Sequence, residues 1–331
     1  MQGFLPISAF THKFYESPLY KSVIAPHNFP MYENQKGEMT GVGDLCYNTK
    51  YEIPKNENYI TDELGFRNDK FIHNPDILII GDSYTMGATL SQSQILANQI
   101  MKNSYSKYLV YGMAPVDFSV LDKLLKLNII KKPKYIIYER VERGEIPKIE
   151  YYEKSISNTV IYHYNKLWNT GNANVFLDKI FRGYVNNYAK AKIERSKGTG
   201  TQSKVEEKLF YYDTKHLTSS DEWMNLNAKS LESYQKYCDS IGSKFLYLPM
   251  PNKETVYYDK IPVNKQPDYL FKLGTILKQK NISYYPTIEF YNNFRKRDDR
   301  MLYQYDDSHW NDVACELISK EIIKTIENDN R

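Results

Sequence analysis

The chain of 331 residues carries 44 basic and 40 acidic side chains, so its net charge is only +4. The two signs are mixed along the sequence, which argues against nucleic acid as a partner. A hydrophobic fraction of 41% and a charged fraction of 25% are ordinary for a globular protein and leave room for one large α/β domain.

The three cysteines, Cys46, Cys238 and Cys315, show neither zinc-site spacing nor the even number of a disulfide framework. We expect buried thiols, no metal and no cofactor. No run reaches the roughly 18 apolar residues of a membrane helix, and residues 1–10 lack a basic secretion signal. The given chain is therefore expected in the cytoplasm, or in the cell envelope if an N-terminal anchor was removed.

Residues 1–61 are rich in Pro, Asn, Tyr and Gly, and they show little periodicity of either kind. We predict an irregular N-terminal arm here, followed by an α/β domain over residues 62–331. The domain opens with Gly65-Phe66-Arg67, for which a plain turn is the favoured role.

A strand buried on both faces is predicted at residues 77–80, where four aliphatic residues stand between Asp76 and Gly81. Ser83 lies in the turn that follows, at the strand end where open α/β sheets gather their chemistry. Its hydroxyl suits a nucleophile, but it would equally suit the cap of the next helix. The local residues leave both roles open.

Strand and helix patterns alternate after Ser83 and predict a parallel sheet with right-handed crossovers. Gly112 follows the second predicted strand, and Arg140 and Arg143 lie in a charged turn after the third. The strands are predicted at residues 77–80, 108–111, 135–138, 244–248 and 282–285. The intervening helices are predicted at residues 91–103, 116–130, 225–241 and 267–280. Five strands in this order indicate a flavodoxin-like, doubly wound sheet.

Residues 145–225 interrupt this rhythm and form a predicted helical insertion. A helix is expected at residues 175–193 and a mobile loop at residues 197–203. Because the insertion falls at the active end of the sheet, we expect a lid or an acceptor-binding wall.

Asp306, Asp307 and His309 precede the last predicted helix, residues 313–326. A serine nucleophile needs a base, and the base needs a carboxylate to orient it and to stabilise its charged form. This loop can supply both groups. The alternative is an aspartate that caps the helix beside a solvated histidine.

Gly-Asp-Ser after a buried strand, with Asp-x-x-His before a terminal helix, resembles the SGNH (GDSL-like) hydrolase and acyltransferase superfamily. The resemblance implies Ser83 as the nucleophile and His309 as the base. It also implies an oxyanion hole formed by the backbone N–H groups of Ser83 and Gly112. Asp306 is preferred as the orienting acid, whereas the His-Trp-Asn ending is similar to an Asp-x-His-Trp variant that selects Asp307.

The SGNH pattern also places an asparagine donor after the third strand, and this chain has none there. Arg140 or Arg143 is the predicted replacement in the oxyanion hole, and an arginine would also hold an anionic group of the substrate. Tyr84 and Trp310 are the predicted substrate-binding side chains.

The resemblance implies an O-acetyltransferase that works through an acetyl-serine on a bacterial cell-surface or exopolysaccharide. The implied partners are a glycan acceptor, an acetyl donor and a membrane-bound acyl-donating protein. A carbohydrate acetylesterase is the alternative, and a noncatalytic carbohydrate-binding protein is the third reading. A nucleotide-binding protein is disfavoured because the Gly81–Gly87 loop lacks the P-loop and dinucleotide patterns.

Overall fold

The computed structural model describes residues 31, 33–153, 197–212, 214, 217 and 220–329. The described strands are β1 (Lys36–Gly41), β2 (Lys55–Ile60), β3 (Ile77–Ile80), β4 (Val110–Met113), β5 (Tyr135–Val141), β6 (Thr201–Gln202), β7 (Phe210–Tyr211) and β8 (Lys244–Met250). The described helices are α1 (Ser83–Met86), α2 (Leu96–Asn103), α3 (Ser119–Lys126), α4 (Asp221–Ser240), α5 (Lys253–Val256), α6 (Tyr269–Gln279), α7 (Thr287–Arg295) and α8 (Asp312–Asn328). Short 3-10 helices lie at Gln92–Gln94 and Tyr258–Lys260.

The centre of the fold is a parallel sheet of four strands in the order β4-β3-β5-β8. All four residues of β3 are buried. Because successive side chains of a strand point to opposite faces, both faces of the sheet are covered. Helix α2 packs on β4 and α8, and α4 packs on β8 and α6. The mixed α/β class and the parallel sheet were predictable from the sequence.

The predicted fifth strand is reduced to one parallel bridge between Tyr284 and Tyr247 of β8. Tyr247 donates its N–H to Ser283 at 3.0 Å and accepts one from Tyr285 at 2.9 Å. Pro286 then interrupts the pairing because it has no N–H, and α7 begins at the next residue. The five-stranded, flavodoxin-like sheet is therefore not confirmed, and four strands form the sheet.

The segment predicted to be irregular contains an antiparallel pair, in which β1 pairs with β2 from Lys36↔Ile60 to Gly41↔Lys55. Met39 and Tyr59 of this pair form a buried cluster with Met31, with Met86 of α1 and with Ala114 after β4. The pair thus covers the turn that carries Ser83. Most residues of the two strands are polar or glycine, so the sequence shows no alternation of apolar and polar residues there.

The helix predicted at residues 175–193 lies outside the described residues, as does most of the predicted insertion. The loop predicted to be mobile at residues 197–203 is bonded to the N-terminal segment. Gly198 donates its N–H to Tyr47 at 2.7 Å, and Gly200 donates to Leu45 at 2.9 Å. All three cysteines are free and buried. Among the helices described, none combines the length and the apolar character needed to cross a membrane.

Candidate active site

Ser83 is the first residue of α1, directly after the turn that ends β3. Asp82 caps this helix, because its carboxylate accepts the N–H of Tyr84 at 2.9 Å. A Cβ at Gly81 would come within 2.4 Å of the Glu139 carboxylate, so only glycine fits there. The turn exposes Ser83 partly, whereas the residues that follow it in α1 are buried.

Glu139 of β5 accepts hydrogen bonds from the turn that carries Ser83. One of its carboxylate oxygens accepts the N–H of Asp82 at 3.1 Å, and the N–H and hydroxyl of Thr85 at 3.2 and 2.8 Å. Glu139 is fully buried. Burial, together with the nearby charge of Asp82, raises the pKa of Glu139 well above its usual value.

Arg67 supports the far end of α1 and is not part of a plain turn. Its buried guanidinium donates to the carbonyl groups of Gly87 at 2.7 Å and Leu90 at 2.6 Å, and also to that of Asn58 at 2.8 Å. Gly87 itself has a φ of 79°, a left-handed conformation that ends the helix. The Gly-Phe-Arg segment therefore fixes the turn on which Ser83 sits.

His309 joins Ser83 to a carboxylate. The Ser83 hydroxyl lies 2.7 Å from His309 Nε2, and His309 Nδ1 lies 2.6 Å from Asp307 Oδ1. The same Asp307 oxygen accepts the backbone N–H of His309 at 2.8 Å. Asp307 and His309 are buried, and the serine end of this chain of hydrogen bonds is partly exposed. The arrangement can move a proton from the hydroxyl to the imidazole.

Asp306, the acid preferred from the sequence, does not contact His309. Its carboxylate accepts the N–H groups of Gly43 and Ile53 at 2.9 and 3.0 Å, and it pairs with Lys55 at 2.6 Å. Asp306 therefore faces the N-terminal segment while Asp307 faces the histidine. Asp307, the acid of the Asp-x-His-Trp alternative, is the one in contact with His309.

The N-terminal segment also holds Asp307 and its neighbours. Asp44 donates its N–H to Asp307 Oδ2 at 2.7 Å. The Asp44 carboxylate accepts the N–H of Ser308 at 2.8 Å and its hydroxyl at 2.6 Å. A second carboxylate therefore lies beside the histidine, with Asp44 Oδ2 at 3.9 Å from His309 Nδ1.

Lys253 of α5 fixes the same loop from the opposite side. Its buried ammonium donates to the carbonyl groups of Gln304, Tyr305 and Asp307 at 2.6, 2.9 and 3.1 Å. Burial lowers the pKa of Lys253 to about 8, although nearby carboxylates including Glu254 oppose this shift. The lysine thus ties the end of β8 to the loop that carries His309.

Gly112 does not offer the oxyanion donor that the resemblance implied. It lies inside β4 and not after it. Its N–H donates to the Asn68 side chain at 3.0 Å, and its carbonyl accepts the Asn68 amide at 2.8 Å. Both polar groups of Gly112 are therefore occupied, because β4 is an edge strand of the parallel sheet and Asn68 satisfies that edge.

Arg140 and Arg143 lie where β5 ends, beside the Ser83 turn. The backbone N–H of the intervening Val141 donates to the Asp82 carboxylate at 3.0 Å. Arg143 donates to Asn252 at 2.9 Å and lies over the Tyr212 ring at 5.6 Å. Neither arginine is within hydrogen-bonding contact of Ser83 among the described interactions, and their predicted role in an oxyanion hole stays a prediction.

Tyr84 and Trp310 were predicted to bind substrate, and the structure contradicts this. Both side chains are fully buried. The Tyr84 hydroxyl donates to the carbonyl of Ser308 at 2.8 Å, and the two rings pack against each other at 5.7 Å. Tyr84 also lies 5.0 Å from the His309 ring. These aromatics therefore form the floor beneath the histidine and present no surface to a ligand.

Asp44, Asp307 and His309 each offer a ligand atom within 4.8 Å of the others, a spacing at which three side chains could hold one metal ion. The carboxylate oxygens are already engaged with N–H and hydroxyl donors, as described above. The group fits a hydrogen-bonded acid and base more closely than a cation site.

No protein-family model matches the chain, and no curated protein matches its sequence. Among solved structures, the chain is similar to a lipase/acylhydrolase from Enterococcus faecalis, with 15% identity over 78% of this chain and 97% of that one and a TM-score of 0.38. It is also similar to an acetyl xylan esterase, with 12% identity, 76% and 98% coverage and a TM-score of 0.36.

Both TM-scores are too low for these two structures to assign a role to any residue of the chain. Sequence patterns had found Ser83, His309 and both candidate acids, but Asp44, Glu139 and Lys253 were missed. The Pro249-Met250-Pro251 run before Lys253 marks a strand end and was a usable signal. Nothing near Asp44 in the sequence indicates a contact with a residue more than 250 positions away.

Proposed function

We propose that this chain is a serine enzyme that transfers an acyl group through an acyl-serine. The observation that carries the proposal is the continuous chain of hydrogen bonds from Ser83 through His309 to Asp307. A binding protein has no need for a hydroxyl, an imidazole and a carboxylate in this order. The carboxylate fixes the tautomer in which His309 Nε2 is free to accept the serine proton.

In the first half-reaction, Ser83 Oγ attacks the acyl carbon while its proton passes to His309 Nε2. Asp307 stabilises the imidazolium that forms. The leaving alcohol then takes that proton, and the acyl group remains on Ser83. In the second half, an acceptor hydroxyl gives its proton to His309 and attacks the acyl-serine, which restores the serine hydroxyl.

The oxyanion of each tetrahedral intermediate is held by the backbone N–H of Ser83, which precedes the hydrogen-bonded turn of α1 and has no helical acceptor. Gly112 is not available as a second donor. Arg140 and Arg143 are the remaining candidates from the sequence, and they lie close to the Ser83 turn.

For the substrate, we propose O-acetylation of a bacterial cell-surface or exopolysaccharide. One support is Gly65-Phe66-Arg67, which resembles the turn that often leads into the first strand of bacterial SGNH proteins from polysaccharide clusters. The others are the Asp307-x-His309-Trp310 spacing and the absence of the asparagine that the SGNH pattern places after the third strand. Deacetylation of a carbohydrate is the second candidate, since Ser83 is partly exposed and water can reach it. A membrane-bound acyl donor would be needed for the transferase reaction and not for deacetylation.

The test compares hydrolysis of para-nitrophenyl acetate by the full chain, by Ser83→Ala and by Ser93→Ala, an exposed serine that serves as the control. We expect the first variant to lose about 10⁴- to 10⁶-fold in rate and to lose the acetyl adduct seen by intact mass. The control should keep both. Equal turnover by all three folded proteins would remove Ser83 as the nucleophile.

A second assay separates the two reactions. Acetyl-serine formed on the enzyme is mixed with sugar acceptors, and the acetylated sugar and free acetate are both measured. Faster loss of the adduct with a sugar, and with acetyl-sugar as the product, would support the transferase. Release of acetate alone at a rate independent of any acceptor would support the esterase.

A further inference from the structure

Two arginines beside the candidate nucleophile have positive charges that no described carboxylate neutralises directly. Arg140 and Arg143 are both partly buried, and no carboxylate of the described residues lies within 4.0 Å of either guanidinium. The Arg140 Nε atom is buried without a hydrogen-bond partner among those residues. Partly buried arginines are usually paired, because a desolvated charge is costly when it is left alone.

Three acids near this pair are engaged in other hydrogen bonds, and a fourth, Asp117, is exposed. Asp82 directs its two oxygens to the backbone N–H groups of Tyr84 and Val141. Glu139 accepts hydrogen bonds from Asp82 and Thr85, and Glu254 accepts the N–H of Tyr212 at 2.7 Å. Burial lowers the pKa of Arg140, but Tyr138 and nearby carboxylates including Asp82 outweigh this effect and raise it.

The surroundings of Arg143 orient its guanidinium at the edge of the site. Asn252 receives one of its five N–H groups at 2.9 Å, and the ring of Tyr212 lies against its face. Tyr212 in turn donates its hydroxyl to Asp44 at 3.0 Å, and Asp44 holds the loop of His309. Arg143 is therefore linked to the histidine loop through Tyr212 and Asp44, and Val141, two positions before it, bonds to Asp82 of the Ser83 turn. The hydrogen bonds described use one of the N–H groups of its guanidinium.

We propose that Arg140 and Arg143 form a subsite for an anionic group on the glycan, so that the substrate is an acidic polysaccharide. The proposal rests on acyl transfer to a glycan at Ser83 and names the class of that glycan. A guanidinium matches the two oxygens of a carboxylate or phosphate with parallel N–H bonds. Two arginines are enough to bind one anionic group. A strongly basic protein surface is therefore not required, in agreement with the net charge of only +4.

Binding is measured by calorimetry with full-length Ser83→Ala, so that turnover plays no part. The probes are oligogalacturonate, oligomannuronate and oligoglucuronate, each beside its carboxyl-reduced neutral form, and poly(glycerol phosphate) for the phosphate case. We expect at least one anionic probe to bind 10-fold or more tightly than its neutral counterpart, or than glycerol oligomers for the phosphate probe. The preference should weaken as salt increases.

Arg143→Met in the same background should abolish that preference, Arg143→Lys should keep part of it, and Arg140→Met should reduce it. Arg300→Met, at an exposed arginine paired with Asp298, is the matched control and should change nothing. Equal binding of every anionic probe and its neutral form would overturn the subsite, as would a preference that survives Arg143→Met. If the methionine variant does not fold, the comparison of charged and neutral probes with the parent protein decides the matter.

Failure of this subsite and failure of the catalytic proposal are distinguishable. Acidic glycans that bind to a chain without acetyl-serine chemistry would keep the anion site and reject the enzyme. Acetyl-serine chemistry with no preference for charged probes would keep the enzyme and reject the anion site.

Discussion

The two halves of the candidate site are built in different ways. The turn of Ser83 is held by Gly81 and Asp82 beside it, and by Arg67 and Glu139, which bond to residues no more than 57 positions away. The loop of His309 is held by Lys253, 54 positions before Asp307, and also by Asp44 of the N-terminal segment, 263 positions before Asp307. Among the supporting contacts described, only those of the histidine half reach across more than 250 positions.

Because the serine turn and the histidine loop have different supports, substitutions in the two regions should affect catalysis in different ways. A change in the serine turn alters the nucleophile itself, whereas a change around the histidine loop alters the geometry of the base through its supports. Four substitutions on the histidine side and its surroundings test this division.

Asp307→Asn should give the largest effect, a loss of about 10⁴-fold in turnover, because the amide would favour the wrong tautomer of His309. Asp306→Asn should lose no more than about 10-fold in turnover, yet it should lower the free energy of unfolding by roughly 3–5 kcal/mol by breaking its buried pair with Lys55. Turnover of para-nitrophenyl acetate and chemical denaturation measure the two. A large loss of turnover in Asp306→Asn with little loss in Asp307→Asn would make Asp306 the orienting acid.

Lys253→Met should have an intermediate effect. It removes the ammonium donor from three carbonyl groups of the histidine loop, of which that of Tyr305 keeps the N–H of Phe210. Each buried group left without a partner costs about 1–3 kcal/mol. We expect a roughly 10- to 100-fold lower turnover and slower labelling of Ser83 by a fluorophosphonate. Lys244→Met, at the exposed start of β8, is the control. Unchanged labelling by the Lys253 variant would show that the loop needs no such support.

Glu57→Gln should have the smallest effect on turnover and a measurable one on stability. Burial raises the pKa of Glu57 to about 7 from 4.5, although nearby Arg67 opposes the shift. The folded protein therefore favours the protonated form of Glu57. The contribution of this carboxyl to the free energy of unfolding is present in full below pH 4.5 and is lost as the pH rises through 7.

The glutamine variant carries no such titration. It should become more stable than the parent protein as the pH rises from about 5 to 8, by up to about 3 kcal/mol. Denaturation in urea at several pH values measures the difference, and a difference that stays constant with pH would contradict the shift.

Sequence reasoning reached the parallel sheet, the serine turn and the histidine loop because each has a local pattern. Four consecutive aliphatic residues define β3, and the acid and histidine precede an amphipathic helix. The acid that contacts His309 could not be chosen, since that choice depends on which way each side chain faces. Gly112 was misjudged because its contact with Asn68 is not visible in a local pattern, whereas Pro286, directly after the fifth predicted strand, is a local signal that the strand pairing stops there.

The contacts between the N-terminal segment and the acids have a consequence for the order of folding. Gly43 and Asp44 meet Asp306 and Asp307 across 263 positions of sequence. Closing so long a loop costs entropy that earlier, shorter contacts do not. The serine turn can therefore form while the sheet condenses, but the base acquires its final geometry only when these two distant segments dock. A partly folded chain would display the nucleophile without a competent base, and reactivity would arise only at the last step of folding.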